Sequence, residues 1–316
     1  MKISVVIPCY NEEENITPLF DKLTVVMNDL MQHQISEYEI ILVNDGSKDG
    51  TLEKLIDCTR NNPKFKVIDF RRNFGQTASM AAGFEHATGD IIIPMDADLQ
   101  NDPADITHLL TKIGEGYDVV SGWRKNRKDK AISRKLPSKI ANKLISIISR
   151  VPLNDYGCTL KAYRREVLQN VKLYGEMHRF IPIYASWQGA RITEIPVTHH
   201  PRMHGTSKYG ILRTFKVLLD LITIKFLGDY ATKPIYLFGG IGFLLWFLGI
   251  LCETEVAYVK LQGGKAYDNP MLIIGIFFMV VGFQSILIGL LAEINIRTYH
   301  ESQNRPIYWI KKQYNF

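Results

Sequence analysis

Residues 89–103 read GDIIIPMDADLQNDP. Three isoleucines form a strand-length apolar run that Pro94 closes, and two carboxylates one residue apart, Asp96 and Asp98, follow at once. A run this apolar reads as a strand buried on both faces, the pattern of a parallel sheet. Working outward, runs rich in Val and Ile recur at 3–7, 39–43, 66–70, 90–94 and 117–121. Helical candidates lie between them, near 16–31, 51–59, 76–87 and 103–114. Strand and helix alternating at this spacing predict βαβ units, so the fold class is α/β with a Rossmann-like, mostly parallel sheet.

In such sheets ligands bind beyond the carboxyl ends of the strands, which makes the turns there informative. The first strand runs out into Pro8-Cys9-Tyr10-Asn11-Glu12, a turn with an aromatic ring and a carboxylate. The second ends in Val43-Asn44-Asp45-Gly46-Ser47, where Gly46 permits a tight turn and Asp45 is expected to protrude from the edge. Asp96 and Asp98, at i and i+2 past a buried strand, can converge on one cation held by oxygen ligands. Mg²⁺ or Mn²⁺ suits such a site when it also bridges a diphosphate. A solvated turn explains any one of these features. Three polar turns at three strand ends of one sheet point to a nucleotide.

Composition narrows the class further. The chain has 316 residues, 46% hydrophobic and 22% charged, which excludes a disordered chain and a collagen-like repeat. Cys9, Cys58, Cys158 and Cys252 are scattered without a C-x-x-C pair, so neither a disulfide framework nor a cysteine-built metal site is expected. His178, His199, His200 and His204 are not read as a metal site either, because Pro201 and Gly205 break any helical ligand spacing. Residues 1–120 hold 20 acids against 10 bases, whereas 121–316 hold 28 bases against 12 acids. A basic half favours phosphates or anionic lipid, and with no recognition motif in the chain nucleic acid is not an expected partner.

Two uncharged apolar runs, 235–251 and 271–292, have the length of membrane spans. Arg213, Lys216, Lys225 and Lys233 precede the first, and Arg297, Arg305, Lys311 and Lys312 follow the second. By the positive-inside rule both termini and the part of the chain before the spans are expected in the cytoplasm, with a two-helix hairpin in the inner (plasma) membrane. Residues 121–150 carry ten bases and one acid and close on the spacing Ile140, Leu144, Ile147, Ile148; a second apolar stretch runs through 211–227. Both read as amphipathic helices at the membrane interface. The expected organisation is a catalytic domain over 1–210, an interface helix over 211–230, spans within 231–296 (about 235–252 and 271–292) and a cytoplasmic tail over 297–316.

The stretches VVIPCYNEEENI (5–16), EIILVNDGSKDGT (39–51), RNFGQTASMAAGF (72–84), GDIIIPMDADLQNDP (89–103), VVSGWR (119–124), DYGCTLKAYRREV (155–167) and RMHGTSKY (202–209) together carry a resemblance. The sequence resembles the GT-A-fold glycosyltransferases of family 2, in particular the membrane-anchored polyprenyl-phosphate glycosyltransferases. The resemblance implies that Pro8, Tyr10, Asn11, Glu12, Asp45, Gln76, Asp96 and Ala97 bind the nucleotide. It implies that Asp96, Asp98 and Gln100 hold Mg²⁺ or Mn²⁺ on the donor diphosphate. Arg124, Arg134 and Ser138 would receive the acceptor phosphate. Asp155 would lie near the reacting centre, and Arg202 and Lys208 would meet the donor phosphates. The implied partners are a nucleotide sugar, a polyprenyl phosphate, the membrane and a second copy of the chain.

The chemistry agrees: a leaving diphosphate needs positive charge, and an acceptor phosphate arrives mostly ionised and already nucleophilic. The family's direct displacement inverts the anomeric centre. Asn44 and the 72–76 segment look more like the branch that uses UDP-sugars, giving UDP-glucose and undecaprenyl phosphate as the expected pair, with GDP-mannose or another UDP-sugar the alternatives. A processive synthase of the same fold is disfavoured, because no Q-x-x-R-W motif occurs. A non-catalytic scaffold is disfavoured by the intact Asp45, Asp96 and Asp98.

Overall fold

The computed structural model describes residues 1–125, 136–169, 171, 173, 177–201, 226, 234–302 and 310–314. Its strands are β1 (Lys2–Cys9), β2 (Glu37–Asn44), β3 (Phe65–Phe70), β4 (Ile91–Pro94), β5 (Val119–Trp123), β6 (Lys161–Arg164), β7 (Ile192–Pro196) and β8 (Ile310–Tyr314). They form one sheet in the order β7-β5-β6-β4-β1-β2-β3-β8. Strands β1 to β4 pair in parallel, as the alternation of strand and helix requires. After β3 the chain crosses back to the other side of β1, so strand order reverses between β1 and β4. That reversal opens a crevice at their carboxyl ends, and Tyr10 and Asp96 follow those two ends.

Side-chain alternation builds the two faces. Ile3, Val5, Ile40, Leu42, Val67, Ile91 and Ile93 enter one core cluster, while Val6, Ile41, Val43, Ile68 and Ile92 enter the other. Helix α1 (Glu13–His33) covers the first face with Ile16, Leu19, Leu23, Met27 and Leu30, spaced three or four residues apart on one stripe. Helices α2 (Thr51–Asn61) and α4 (Ile106–Gly114) pack on this face as well, through Leu55, Ile106, Leu109, Leu110 and Ile113. Helix α3 (Gln76–His86) lies on the second face through Ala78, Met80 and Ala82. Burying the strands on both faces is what made them legible as continuous apolar runs.

The sheet departs from pure βαβ order in two places. β6 inserts antiparallel between β4 and β5, so β5 does not lie beside the strand that precedes it. β8 pairs antiparallel with β3, Val67 opposite Tyr314 and Ile68 opposite Gln313. The segment expected to be a plain tail thus covers a sheet edge that would otherwise expose unpaired N–H and C=O groups. Helix α5 (Leu136–Ser149) falls within the basic stretch read as amphipathic; it buries Ile145 and leaves Ile147 65% exposed. Two short helices, α6 (Arg165–Gln169) and α7 (Ile181–Trp187), complete this unit. The interface helix expected at 211–230 lies, but for Phe226, outside the described residues.

The chain divides into two units, and the second holds α8 (Ile235–Leu261) and α9 (Pro270–Ser302). Both are long and apolar enough to cross a membrane, and their most apolar windows are only 17% and 11% buried. Core helices of a soluble protein would be buried. The first helix continues to Leu261, about two and a half turns past the expected end of the span near 252. The two helices pack through glycine: a Cβ on Gly242 would meet the Gly282 carbonyl at 2.7 Å, and one on Gly282 would meet the Gly242 carbonyl at 2.7 Å. Trp246 Nε1 donates to Met279 O at 3.0 Å and Ser285 Oγ to Phe238 O at 2.8 Å. Small residues with interhelical hydrogen bonds are how helices associate in lipid.

Candidate active site

The turn after β4 carries the paired acids. Asp96 is half-buried and both of its oxygens are engaged: Gln76 Nε2 donates to Oδ1 at 2.7 Å and Thr159 Oγ1 to Oδ2 at 2.7 Å. Asp98 is 7% exposed, and its Oδ1 accepts the Gln100 N–H at 3.2 Å. Between the acids and Gln100 sits Leu99 at φ 57, a left-handed conformation that costs a leucine energy and that sites of function retain. Gln100 is tied to His200, accepting from its N–H at 2.8 Å and donating to its carbonyl at 3.5 Å. The His200 ring meets Asp102 at 2.9 Å. Burial acts to raise the Asp102 carboxyl pKa, and the hydrogen bonds from His200 and Ala104 outweigh it, leaving it below the usual carboxylate range.

Among the described residues no three His, Cys, Asp or Glu side chains converge on a point. What the turn offers is a short set of hard oxygens on Asp96, Asp98 and Gln100. Such a set fits a divalent cation that brings phosphate oxygens as its remaining ligands, rather than a closed protein cage.

The turns after β1 and β2 are knitted to one another. Asn11 sits at φ 50; its N–H donates to Ser47 Oγ at 3.0 Å, and its Oδ1 accepts from the Lys48 N–H at 2.9 Å. Glu12 donates its N–H to Thr51 Oγ1 at 2.9 Å and accepts from Asn15 Nδ2 at 2.7 Å. Pro8 and Tyr10 are half-buried and Ala97 is buried, all at the β1 and β4 ends.

Asp45 departs from expectation. It does not protrude: it is 3% exposed and folds onto the loop that follows β3. Its Oδ1 accepts from the Phe74 N–H at 2.7 Å, and its Oδ2 from the Gly75 N–H at 2.9 Å and from Asn73 Nδ2 at 2.9 Å. Gly46, at φ 65, lets that loop approach, since a Cβ there would lie 2.7 Å from Asn73 N. Burial pushes the Asp45 carboxyl up to about 6, against the pull of the Phe74 and Gly75 N–H groups. The residue holds residues 73–75 against the carboxyl end of β2.

Arg124, expected at the acceptor phosphate, is paired within the protein: Nε donates to Asp155 Oδ2 at 2.7 Å and Nη2 to Asp155 Oδ1 at 2.9 Å. Asp155 is 4% exposed and also accepts from the Gly157 N–H at 3.1 Å. Burial disfavours the charged Arg124, but the Asp155 charge and hydrogen bonds more than compensate, so the guanidinium stays protonated. A carboxylate gripped by a bidentate guanidinium is stabilised in its ionised form and is a poor proton acceptor. Asp155 is thus held in its ionised form by the guanidinium.

Arg134, Arg202 and Lys208 lie outside the described residues, and Ser138 falls in the first turn of α5. Sequence reasoning missed Thr159 and Lys161, although both stand in the DYGCTLKAYRREV stretch. Lys161 is 2% exposed, and its ammonium donates to the carbonyls of Cys158 and Tyr156, the latter at 3.3 Å. Burial lowers its pKa below that of an ordinary lysine.

The family profile described as Glycosyl transferase family 2 matches residues 4–172. A dodecaprenyl-phosphate galacturonate synthase of Rhizobium johnstonii is 41% identical, the alignment covering 99% of this chain and 93% of that protein. An undecaprenyl-phosphate 4-deoxy-4-formamido-L-arabinose transferase of Pseudomonas fluorescens is 37% identical over 98% of this chain and 89% of its own. Among solved structures, glucosyl-3-phosphoglycerate synthase from Mycobacterium tuberculosis, in complex with Mn²⁺ and UDP-glucose, superposes with a TM-score of 0.53 at 17% identity. That likeness covers 72% of this chain and 78% of the other, and it shows the shared fold.

Proposed function

The chain belongs to glycosyl transferase family 2, and we propose that it moves a sugar from a nucleotide-sugar donor to the phosphate of a polyprenyl phosphate at a membrane surface. The observation that carries this reading is the end-to-end likeness to two sugar transferases named for polyprenyl phosphates, a likeness that runs through the two apolar helices as well as the sheet.

In this reading the nucleotide lies across the carboxyl ends of β1, β2 and β4, along Pro8, Tyr10, Asn11, Glu12 and the loop that Asp45 holds. Asp96, Asp98 and Gln100 would hold Mg²⁺ or Mn²⁺, which supplies positive charge to the leaving diphosphate when bound. The acceptor phosphate is mostly ionised near neutral pH and attacks without a general base. The engagement of Asp155 with Arg124 agrees with that. Direct attack inverts the anomeric centre. Arg124, Arg134 and Ser138 remain the proposed contacts of the acceptor phosphate and Arg202 and Lys208 those of the donor phosphates, with Arg124 also fixing Asp155.

Chain order supports the orientation. β1 to β7 precede the hairpin and β8 follows it, all in one sheet, so two spans must return the chain to the side it left. The basic flanks favour the cytoplasm as that side. A homo-oligomer belongs to the proposal as well, and light scattering on the detergent-purified chain decides it.

For the donor, sequence resemblance favours a uridine nucleotide and UDP-glucose, whereas the relatives are named for galacturonate and a formamido-arabinose. A panel of UDP-glucose, UDP-galacturonate, UDP-4-deoxy-4-formamido-L-arabinose and GDP-mannose, each offered with undecaprenyl phosphate, tests this. One uridine donor is expected to yield the lipid-linked sugar. Use of GDP-mannose alone overturns the donor class; release of free sugar with every donor overturns the acceptor.

A further inference from the structure

We propose that Lys161 is a positioning residue for sugar transfer: its ammonium holds the carbonyls of Tyr156 and Cys158, and so sets Thr159 against Asp96 and Asp155 against Arg124. The inference rests on the reading of Asp96 as a donor-site carboxylate.

Lys161 begins β6, where Ala162 enters one core cluster and Tyr163 the other. An apolar side chain is what such a position ordinarily takes, because a fully buried ammonium loses its hydration. Its observed hydrogen-bond partners are two main-chain carbonyls, so the charge is directed at one short loop. That loop is pinned at three points. Glu194 accepts from the N–H groups of Asn154 and Asp155 at 3.0 Å, Lys161 holds the middle, and Thr159 Oγ1 ends on Asp96 Oδ2 at 2.7 Å. The two residues whose carbonyls Lys161 holds lie between Asp155 and Thr159. A small cavity bounded by Thr159, Lys161, His178 and Arg179 lies beside this contact. Without the ammonium, two carbonyls are stranded and the loop is free to relax, taking the Thr159 hydroxyl off Asp96.

The test combines Lys161→Met, Lys161→Gln and Thr159→Val in the full-length chain. Lipid-linked sugar formation reports kcat, and free Mn²⁺ by electron paramagnetic resonance in the presence of UDP reports metal affinity directly. Lys161→Met should lower kcat by about tenfold to a hundredfold and weaken Mn²⁺ binding by about tenfold, the effect of one lost charge-assisted contact. Thr159→Val should act in the same direction. The double variant should be no worse than the more impaired single one, because both act through Asp96. Lys161→Gln keeps an N–H donor for the carbonyls and should fall between, at a loss of about threefold to tenfold. It replaces Lys161→Met in the cycle if the methionine variant does not fold. Losses that multiply in the double variant would overturn the proposal, as would wild-type kcat and Mn²⁺ affinity in the Lys161 variants. Wild-type protein that forms no lipid-linked sugar would instead overturn the function on which it rests.

Discussion

Arg124 and Asp155 form the most consequential contact in the crevice, and removing one partner differs in kind from removing both. The pair is bidentate, 2.7 and 2.9 Å, with side chains 14% and 5% exposed. Arg124→Met leaves the Asp155 carboxylate buried without its cation, a change that costs about 3–5 kcal/mol. For a domain of roughly 150–250 residues each kcal/mol moves Tm by about 2–4 °C, so Tm should fall by about 6–20 °C. Asp155→Leu strands the guanidinium and should cost a similar amount. Arg124→Lys keeps the charge and loses one arm of the fork, worth about 1.5–3 kcal/mol. The double variant Arg124→Met/Asp155→Leu removes both charges and should recover most of the stability, because a buried ion pair exchanged for apolar groups is close to neutral. It should not recover sugar transfer. Thermal unfolding of the detergent-purified chain, followed by tryptophan fluorescence beside a transfer assay, measures both. Additive Tm losses in the double variant, or a single variant that melts like wild type, would refute the reasoning.

Asp45→Asn puts an amide N–H₂ against N–H donors on either oxygen, so at pH 8 it should cost about 1.5–3 kcal/mol and loosen exchange of the Phe74 and Gly75 amides. The gap to wild type should widen at pH 5, because a carboxyl raised to about 6 by burial takes up its proton in the folded state before the unfolded one, which stabilises wild type as pH falls and leaves the amide variant unchanged. Ending the chain after Ser302 deletes β8 and uncovers the β3 edge; aggregation measured by light scattering should increase even though both apolar helices are kept. Glu39 is buried, which alone would raise its pKa, but Ser4, Thr88 and Lys66 hold it below its ordinary 4.5. Its stabilisation is therefore present above the unfolded carboxyl's pKa and lost as pH falls beneath it. Glu39→Gln should lower Tm at pH 7 and flatten the fall in Tm between about pH 5 and 3.

The parallel half of the sheet was legible because burial on both faces writes long runs of Val and Ile, as in β1, β2 and the three isoleucines of β4. The antiparallel strands were not. β6 has four residues and starts with a lysine, and β8 reads IKKQY, a polar segment whose strand state is decided by its partner. At the site, the positions of Asp96 and Asp98 followed from Pro94 closing a strand. The burial of Asp45 did not, because its three donors come from a loop about 30 residues away. The pairing of Arg124 with Asp155 spans 31 residues and obeys no local spacing rule, so the sequence carries no sign of it. Thr159 is a single hydroxyl among apolar neighbours and carries no signal until the sheet brings it to Asp96.

The most direct measurement is mass spectrometry of the lipid formed when the full-length chain, in vesicles containing undecaprenyl phosphate, meets the nucleotide-sugar panel with Mg²⁺ or Mn²⁺. The predicted result is polyprenyl phosphate carrying one added sugar residue, lost in EDTA and lost in Asp98→Ala protein that still melts at the wild-type temperature. Product formed equally well in EDTA and by Asp98→Ala would contradict the role given to the β4 turn, and an unmodified lipid with every donor would contradict the proposed function itself.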